Sequence, residues 1–168
     1  WEFGNKAAFQ YHINKSNFLF LTDLKIIRKD NEDLINKGYA HLRMNRIFKD
    51  SGSISLEVFS QVQYNGVQKI DFRSLNGAGL RAKLLGNDTI NLNFGLSAMY
   101  EYEETSLNEF HNGVRGSSYL SFNWKINSKL GFKTINYYQP LVDELEDYRF
   151  SNESSLSLSL TKQLSFTV

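Results

Sequence analysis

A strict two-residue alternation of apolar and polar side chains runs through almost the whole chain. Between Ile90 and Tyr102 every even position is apolar, whereas most odd positions are polar, among them Asn91, Asn93 and Glu101. Successive side chains of a β-strand point to opposite faces of the sheet. The alternation therefore predicts strands that each have one apolar and one polar face.

Ten such strands are predicted, at residues 3–14, 17–28, 37–47, 53–65, 68–84, 89–103, 114–127, 129–139, 147–161 and 163–168. Most of them are much longer than a typical strand in a soluble sheet, which has about five to six residues. They match the length of about nine to eleven residues that a tilted strand needs to cross a bilayer. We therefore expect an all-β fold, an antiparallel up-and-down transmembrane β-barrel, in which residues 1–168 form a single barrel domain.

The connections between the predicted strands alternate in length. Short turns follow all the odd-numbered strands. The exception to the alternation is the tight hairpin signal at Asn65-Gly66, which follows the fourth strand. Longer polar loops follow the other even-numbered strands, as at 104–113. Outer-membrane barrels have short periplasmic turns and longer outer loops. This orientation leaves both chain ends at the outer side, so we expect one further strand at each end and about twelve in the intact barrel, an even number as is usual.

The apolar face is predicted to lie outward, with even positions outward in every strand except the first. Away from the strand ends, none of these positions carries a charged residue. A Lys or Arg at the middle of a lipid-facing strand costs about 2–4 kcal/mol, so lipid contact would enforce this absence. A soluble barrel or sandwich has the same alternation with its apolar face turned inward, and this alternative stays open.

Aromatic residues favour the lipid-facing alternative, because they cluster near the predicted strand ends rather than in the middle. Tyr and Trp combine an apolar ring with a polar tip and therefore settle at membrane interfaces in two belts. The predicted belts comprise Tyr64, Phe72, Tyr100, Tyr102, Tyr138, Tyr148 and Phe150 at the outer side and Trp124 at the periplasmic side.

The polar face is predicted to line a lumen with charges of both signs. If Asn65-Gly66 sets the hairpin register, Gln61, Arg73 and Glu101 lie at similar height and Arg73 bridges the other two. Glu57 and Arg81 complete this predicted polar network. Such a network fills the lumen and fixes strand register, or alternatively forms a gate or a ligand contact.

Three glycines, Gly77, Gly79 and Gly95, also point into the predicted lumen from neighbouring strands. A patch of bare backbone accommodates a large opposing side chain, such as Phe59 or Leu75, or a kink that helps closure. A niche for a ligand is the alternative.

The sequence offers little for catalysis or metal binding. There is no cysteine, which excludes disulfides, thiolate zinc sites and cysteine nucleophiles. The three histidines, His12, His41 and His111, lack the spacing of a metal site. The 19 basic and 18 acidic residues nearly cancel, so no nucleic-acid partner is expected. We expect no catalytic residues, no metal and no cofactor; a barrel enzyme that acts on lipid is a distant alternative.

Several segments resemble one bacterial family. They read EVFSQVQYN at 57–65, DFRSLNGAGLR at 71–81, MYEYEE at 99–104, YYQP at 137–140 and DYR at 147–149. Together they are similar to a family of unknown function described as salt-induced outer-membrane proteins, in its flavobacterial form. The resemblance implies an outer-membrane barrel of a Gram-negative bacterium of the Bacteroidota, with no established activity and therefore no functional residues to transfer.

The expected function is that of a structural or accessory barrel in the bacterial outer membrane, with a lumen filled by polar side chains. Its expected partners are the lipid bilayer and lipopolysaccharide, together with other outer-membrane proteins if it is a subunit of a larger assembly. The alternative is a narrow, mildly anion-preferring pore, because inward Lys and Arg outnumber inward Asp and Glu. About twelve strands lie between small filled barrels and open porins, so size does not decide.

Overall fold

The fold is a single antiparallel sheet of ten strands, seen in a computed structural model that describes residues 1–29, 32–48, 52–107, 109–160 and 165–167. The strands are β1 (Glu2–Ile13), β2 (Ser16–Lys29), β3 (Glu32–Ile47), β4 (Ile54–Asn65), β5 (Ile70–Gly86), β6 (Ile90–Thr105), β7 (Phe110–Lys125), β8 (Leu130–Pro140), β9 (Tyr148–Ser159) and β10 (Ser165–Thr167). The predicted turns at 49–52 and 161–162 lie largely or wholly outside the described residues.

Each strand pairs with its neighbours in chain order, which confirms the predicted all-β, up-and-down architecture. The register also keeps the predicted faces together across the sheet. Phe20 lies opposite Phe9 on one side and Leu42 on the other. Further along, Leu80 lies opposite Leu96. Paired residues share a face, so the apolar positions form one continuous surface.

Two strands begin earlier than the alternation predicts. β3 starts at Glu32 rather than at 37, and β7 starts at Phe110 rather than at 114. Lys29 pairs with Glu32, and Glu104 pairs with Phe110, so both hairpins continue past the apolar pattern. Backbone pairing carries the strands into these polar segments, where no buried face is needed to specify them.

The hairpin at Asn65 differs from the predicted two-residue turn. Residues Gly66–Gln68 form a short 3-10 helix, and Lys69 closes the turn with φ 57° in the left-handed region. The Asn65 side chain caps this turn by accepting hydrogen bonds from the backbone N–H groups of Val67 and Gln68, at 3.1 and 3.3 Å. β5 therefore starts at Ile70 rather than at 68.

The polar face of the sheet is the buried one. On this inner face, Glu101 and Arg115 are each 3% exposed. On the outer face, Leu96 is 59% exposed and Leu120 is 42% exposed. Between the strand ends of the described sheet, no charged residue occupies the outer face. A soluble protein has the opposite distribution, with its charged groups outside and its aliphatic groups inside.

The sheet curls strongly around its polar face. In a flat sheet, β4 and β7 would lie about 14 Å apart, three times the usual strand spacing. The Tyr119 hydroxyl on β7 nevertheless donates to Glu57 Oε2 on β4 at 3.0 Å. Among the described residues β1 and β10 are not paired, so the curled sheet is not closed.

Helical structure contributes little to this chain. Within the described ranges, no helix has the length and apolar character needed to span a bilayer.

Candidate functional site

Six charged side chains meet inside the curled sheet at the end where the longer loops lie. This arginine–carboxylate cluster consists of Arg73, Glu101, Glu103, Arg115, Asp147 and Arg149. Arg73 on β5 pairs with Glu103 on β6 and lies 3.4 Å from Glu101 Oε1. Three guanidinium groups thus face three carboxylates, and the formal charges of the cluster cancel.

Arg115 is the most buried cation of the cluster, with 4% of its side chain exposed. Its Nε donates to Glu101, and its two terminal nitrogens donate to Asp147 Oδ1 and Oδ2 at 3.1 and 2.9 Å. It also donates to the backbone oxygens of Gln139 and Asp147, at 3.3 and 3.2 Å. Each of the three guanidinium nitrogens therefore has at least one acceptor, as a buried cation requires.

The β8–β9 loop is held down by this contact. The Val142 backbone N–H donates to Val114 on β7 at 2.8 Å, and the Leu141 N–H donates to Asp147 at 2.8 Å. The hydrogen bond from Arg115 holds the pKa of the Asp147 carboxyl below its ordinary value. The loop therefore lies against β7 at the long-loop end of the sheet, and its Asp147 carboxylate is paired with Arg115.

Arg149 joins strands that are far apart in the sheet. It lies on β9 and pairs with both Glu101 and Glu103 on β6, the latter at 3.2 Å. Two strands, β7 and β8, lie between them in the sheet order. The contact therefore crosses the interior of the curled sheet rather than following its wall.

Of the predicted network of Gln61, Arg73 and Glu101, the structure brings Arg73 and Glu101 together and places Gln61 elsewhere on the adjacent strand. Arg73 and Glu101 form an ion pair. Gln61, however, lies opposite Leu75, while Gln63 lies opposite Arg73. The longer turn after Asn65 gives a different register from a two-residue turn at Asn65-Gly66, which would place Gln61 opposite Ile70.

Gln61 belongs to a second polar group, together with Tyr39, His41 and Gln63. Its amide oxygen lies 3.3 Å from the Tyr39 hydroxyl and 3.3 Å from His41 Nδ1, and its amide nitrogen donates to Gln63 at 3.1 Å. The His41 ring stacks between Tyr39 and Phe59, each with a centroid distance of 6.1 Å. This group lines an interior cavity of about 1060 Å³ that also touches the arginine–carboxylate cluster. The interior of the curled sheet therefore contains open space between its polar side chains.

Glu57 lies deeper in this cavity, away from the long loops. It is 5% exposed, accepts a hydrogen bond from the Tyr119 hydroxyl at 3.0 Å and lies 3.9 Å from Arg43. Arg81, the other predicted member of the network, lies nearer the short turns and lines a separate cavity. The structure thus divides the five predicted network residues among three locations.

Two of the three predicted inward glycines make room for aromatic rings. A methyl group on Gly95 would overlap the Tyr119 ring, and one on Gly77 would overlap Phe59. Because Gly95 leaves this space, the Tyr119 ring lies across the sheet wall and reaches Glu57. Gly79 lies directly against Ser97 of the adjacent strand. The patch accommodates Phe59, as expected, and Tyr119, which was not foreseen.

The predicted belt aromatics lie on the outer face near the strand ends. Phe72 contacts Tyr102 at a ring distance of 6.3 Å, and Tyr138 contacts Tyr148 at 5.6 Å, both pairs at the long-loop end. The other predicted members are Tyr64, Tyr100, Phe150 and, at the short-turn end, Trp124. Most of these rings are highly exposed, with Phe150 reaching 64%.

Four members of the cluster were not selected from the sequence: Glu103, Arg115, Asp147 and Arg149. A signal existed for Glu103 and Arg115, because both have the inner-face parity: Glu103 lies on β6 like Glu101, and Arg115 lies on the adjacent β7. No local signal marks Arg149 or Asp147 as partners of β6 and β7, since only the curl of the sheet brings them there.

The three histidines lie on three different strands, β1, β3 and β7. His111 lies 3.9 Å from Glu109 at the exposed start of β7, far along the sheet from His41. In the part of the chain that the structure describes, no three His, Asp or Glu side chains are grouped to hold a metal ion.

Comparison with known proteins leads to a family rather than to an activity. No curated protein and no solved structure gives a significant match to this chain. A family model described as "Protein of unknown function, DUF481" matches residues 2–168. Since the match covers nearly the whole chain, the protein belongs to the DUF481 family of proteins of unknown function.

Proposed function

We propose that this protein is an outer-membrane β-barrel with a structural or accessory role, whose outer face contacts lipid and whose lumen is closed at the long-loop end. The single observation that carries the proposal is the inverted distribution of side chains. Charged Glu101 and Arg115 are 3% exposed, while outer-face residues such as Leu96 and Phe150 are 59% and 64% exposed. In water, so large an apolar surface would drive aggregation. In a bilayer the same surface is matched by acyl chains.

The belts and the family resemblance support the same placement. Aromatic rings near both strand ends, with aliphatic residues between them, are typical of the lipid-facing surface of barrels. The resemblance to salt-induced outer-membrane proteins of flavobacterial type supports a Gram-negative outer membrane, with lipopolysaccharide as the lipid of the outer leaflet.

A matched pair of labels tests the lipid contact, because the chain has no native cysteine. Leu120→Cys lies on the outer face and its neighbour Ser121→Cys on the inner face at the same height. Each is labelled with a fluorophore in the full-length protein folded into vesicles. We expect a quencher at the bilayer centre to reach the label at 120 and not the label at 121. Equal quenching of both labels by aqueous iodide would contradict the proposal.

Closure of the lumen is supported by the arginine–carboxylate cluster. Arg149 crosses the interior to Glu101 and Glu103, and Asp147 fastens the β8–β9 loop to Arg115. We expect the purified full-length protein to give no steady channels in planar bilayers. Arg149→Ala, which removes the crossing side chain, is expected to give measurable conductance.

A narrow, anion-preferring pore is the second candidate function, because the inner face near the short turns carries an excess of cations. The cations within five residues of the short-turn end of their strand are Arg43, Arg81, Lys83, Lys125 and Lys133. Among the described inner-face residues in that region, Glu57 is the one carboxylate. Steady, anion-selective channels from the unmodified protein would establish this candidate and overturn the closed barrel.

Membership of a larger assembly is supported by a polar patch in the middle of the outer face. This outer polar patch consists of Thr134, Asn136, Asn152 and Ser154 on β8 and β9. Asn152 donates to Asn136 at 2.7 Å and to Thr134 at 3.1 Å, and Ser154 donates to Asn152 at 2.9 Å. These bonds use only part of the capacity of two amides, and polar side chains of this kind hold membrane proteins together.

Native gels of the detergent-extracted protein test the assembly. We expect a species larger than the monomer that is lost in the double variant Asn136→Leu/Asn152→Leu. The control is Ser60→Ala, which alters a separate polar contact of the outer face, between Ser60 and Asn76. A monomer in the unmodified protein would contradict the assembly and leave the barrel proposal intact.

A further inference from the structure

The interior cavity of about 1060 Å³ is large enough to hold an organic ligand, since pockets for such ligands typically measure about 300–1,000 Å³. Along β4 its wall includes Gln63, Gln61, Phe59 and Glu57, which are successive inner-face residues. At about 3.3 Å per residue, these four positions extend over about 20 Å of the strand. The cavity is therefore elongated and suits an extended ligand rather than a compact one.

The charges around this cavity balance. Among the described residues, its lining holds three guanidinium groups and three carboxylates, those of Arg43, Arg73, Arg149, Glu57, Glu103 and Glu153. Arg73 and Arg149 both pair with Glu103. Arg43 lies 3.9 Å from Glu57 Oε2. A lining with balanced charge does not concentrate ions of either sign, which favours a ligand without net charge.

Aromatic rings cover two sides of the cavity. On β3 and β4, the His41 ring lies between Tyr39 and Phe59 and is nearly parallel to both, at 6° and 23°. On β7 and β8, Tyr119 contacts Tyr137 at a ring distance of 5.5 Å. The rings other than Tyr119 are only partly buried, so accessible surface remains on the cavity side. The face of an aromatic ring carries partial negative charge and attracts polarised C–H groups.

Amide groups lie beside these rings. Gln61 is hydrogen-bonded to Tyr39 and Gln63, and Gln139 donates to the Ser117 hydroxyl at 3.2 Å. Amides and phenol hydroxyls each carry both donors and acceptors, as sugar hydroxyls do. The C–H faces of a pyranose ring in turn match aromatic surfaces. Guanidinium groups in the same wall disfavour a quaternary ammonium, which is another ligand that aromatic surfaces attract.

We propose that this cavity binds a short, neutral oligosaccharide of hexopyranose units. The rings of Tyr39 and Tyr137 pack against the C–H faces of the sugar, and the amides of Gln61 and Gln63 bind its hydroxyls. Gln68, in the turn between β4 and β5, also lines the cavity, so the ligand enters at the long-loop end beside the arginine–carboxylate cluster. Entry from this side requires no passage through the lumen. The site is therefore compatible with a closed barrel and adds a function to it.

The experiment is titration calorimetry of the full-length protein in an amine-oxide detergent, because the headgroups of glycoside detergents would compete for the site. The neutral probes are maltotriose, cellotriose and mannotriose, and the charged probes are trigalacturonate and choline. We expect at least one neutral trisaccharide to bind, and both charged probes to bind at least tenfold more weakly than it does.

Two variants test the cavity wall. Tyr39→Leu removes one ring and should weaken trisaccharide binding about two- to tenfold, the loss expected for a single aromatic contact. Ser151→Trp fills the cavity from an exposed inner-face position of β9 and should abolish binding, which keeps the test decisive if Tyr39→Leu does not fold. The control is Tyr11→Leu, because Tyr11 lies on the outer face of β1 and is 63% exposed. This control should bind as the unmodified protein does.

Deacylated lipopolysaccharide distinguishes a free oligosaccharide from the sugar part of a membrane lipid. We expect it to bind more weakly than the trisaccharides, because the balanced charge of the lining offers its phosphates no net attraction. Tighter binding would assign the site to a membrane glycolipid and overturn the free ligand. Failure of all three trisaccharides to bind, tighter binding of choline, or unchanged binding in folded Ser151→Trp would overturn the proposal. None of these results depends on whether the outer face contacts lipid.

Discussion

Arg149 on β9 reaches across two intervening strands and pairs with the carboxylate of Glu101 on β6, inside the curled sheet. Glu101 also accepts from Arg115 and lies 3.4 Å from Arg73, so the carboxylate of a residue that is 3% exposed holds three guanidinium groups from different strands. The contact links β6, β7 and β9 directly and makes Glu101 the centre of the arginine–carboxylate cluster.

Glu101→Gln should destabilise the folded protein strongly. The substitution keeps the size of the side chain but leaves Arg115 and Arg149 without their shared charge, and breaking a buried pair costs about 3–5 kcal/mol. The free energy of unfolding, measured by urea titration in detergent micelles or vesicles, tests this. Lys6→Gln is the control, since the Lys6 side chain in its pair with Asp23 is 80% exposed and should contribute less than about 1 kcal/mol. A loss for Glu101→Gln no larger than for the control would contradict the central role of Glu101.

The β8–β9 loop should detach at low pH. Because the hydrogen bond from Arg115 lowers the pKa of folded Asp147, the stabilisation is complete above the ordinary aspartate pKa. It is lost as the pH falls through the lowered value, where Asp147 becomes protonated. A spin label at Leu145→Cys should therefore become mobile only in strong acid, and should be mobile already at pH 7 in Asp147→Asn. A label at Val67→Cys, in the β4–β5 turn, should show no such change; a parallel change at both sites would indicate general unfolding instead.

Gly95→Ala should be costly because of Tyr119. An added methyl group overlaps the Tyr119 ring, and overpacking of this kind costs about 1–3 kcal/mol. Once the ring is removed in Tyr119→Ala, the same glycine substitution should cost little. A double-mutant cycle measured by chemical unfolding gives the coupling between the two positions. Additive effects of the two changes would mean that Gly95 is required for another reason.

The substitution Leu96→Lys tests whether the outer face of the sheet contacts lipid or water. Near the middle of a bilayer a lysine costs about 2–4 kcal/mol, and near the interface about 0–1 kcal/mol. We expect a clear loss of folding yield and stability in vesicles for Leu96→Lys. Leu85→Lys, close to the short turn, should have a small effect, although Leu85 is equally exposed at 56%. Equal and small effects at both positions would indicate that water contacts Leu96.

The fold was predictable from the sequence because its main determinant is local. Side chains on a strand alternate, so the parity of Leu92, Phe94 and Leu96 identifies one face without any knowledge of other strands. Strand bounds were less accurate at Glu32 and Phe110, where backbone pairing extends a hairpin that has no apolar pattern. The prediction of a two-residue turn at Asn65-Gly66 was wrong, because an Asn-Gly pair also fits the longer turn that the Asn65 side chain caps.

The candidate site was only partly predictable. Arg73 and Glu101 lie on adjacent strands, and the register of one hairpin brings them together. Arg149 and Glu101 are separated by 48 positions in the chain and two strands in the sheet. Their contact cannot be predicted from their spacing in the sequence, because it depends on how tightly the sheet curls.

The sequence by itself determined the strands, their order and which face of each is apolar, because alternation and hairpin pairing are properties of neighbouring residues. Only the tertiary structure decided which charged side chains meet, which glycines receive aromatic rings and where empty space remains. Curvature is a collective property of all ten strands. Because the sheet curves around its polar face, Arg149 contacts Glu101 and Tyr119 contacts Glu57 across the interior.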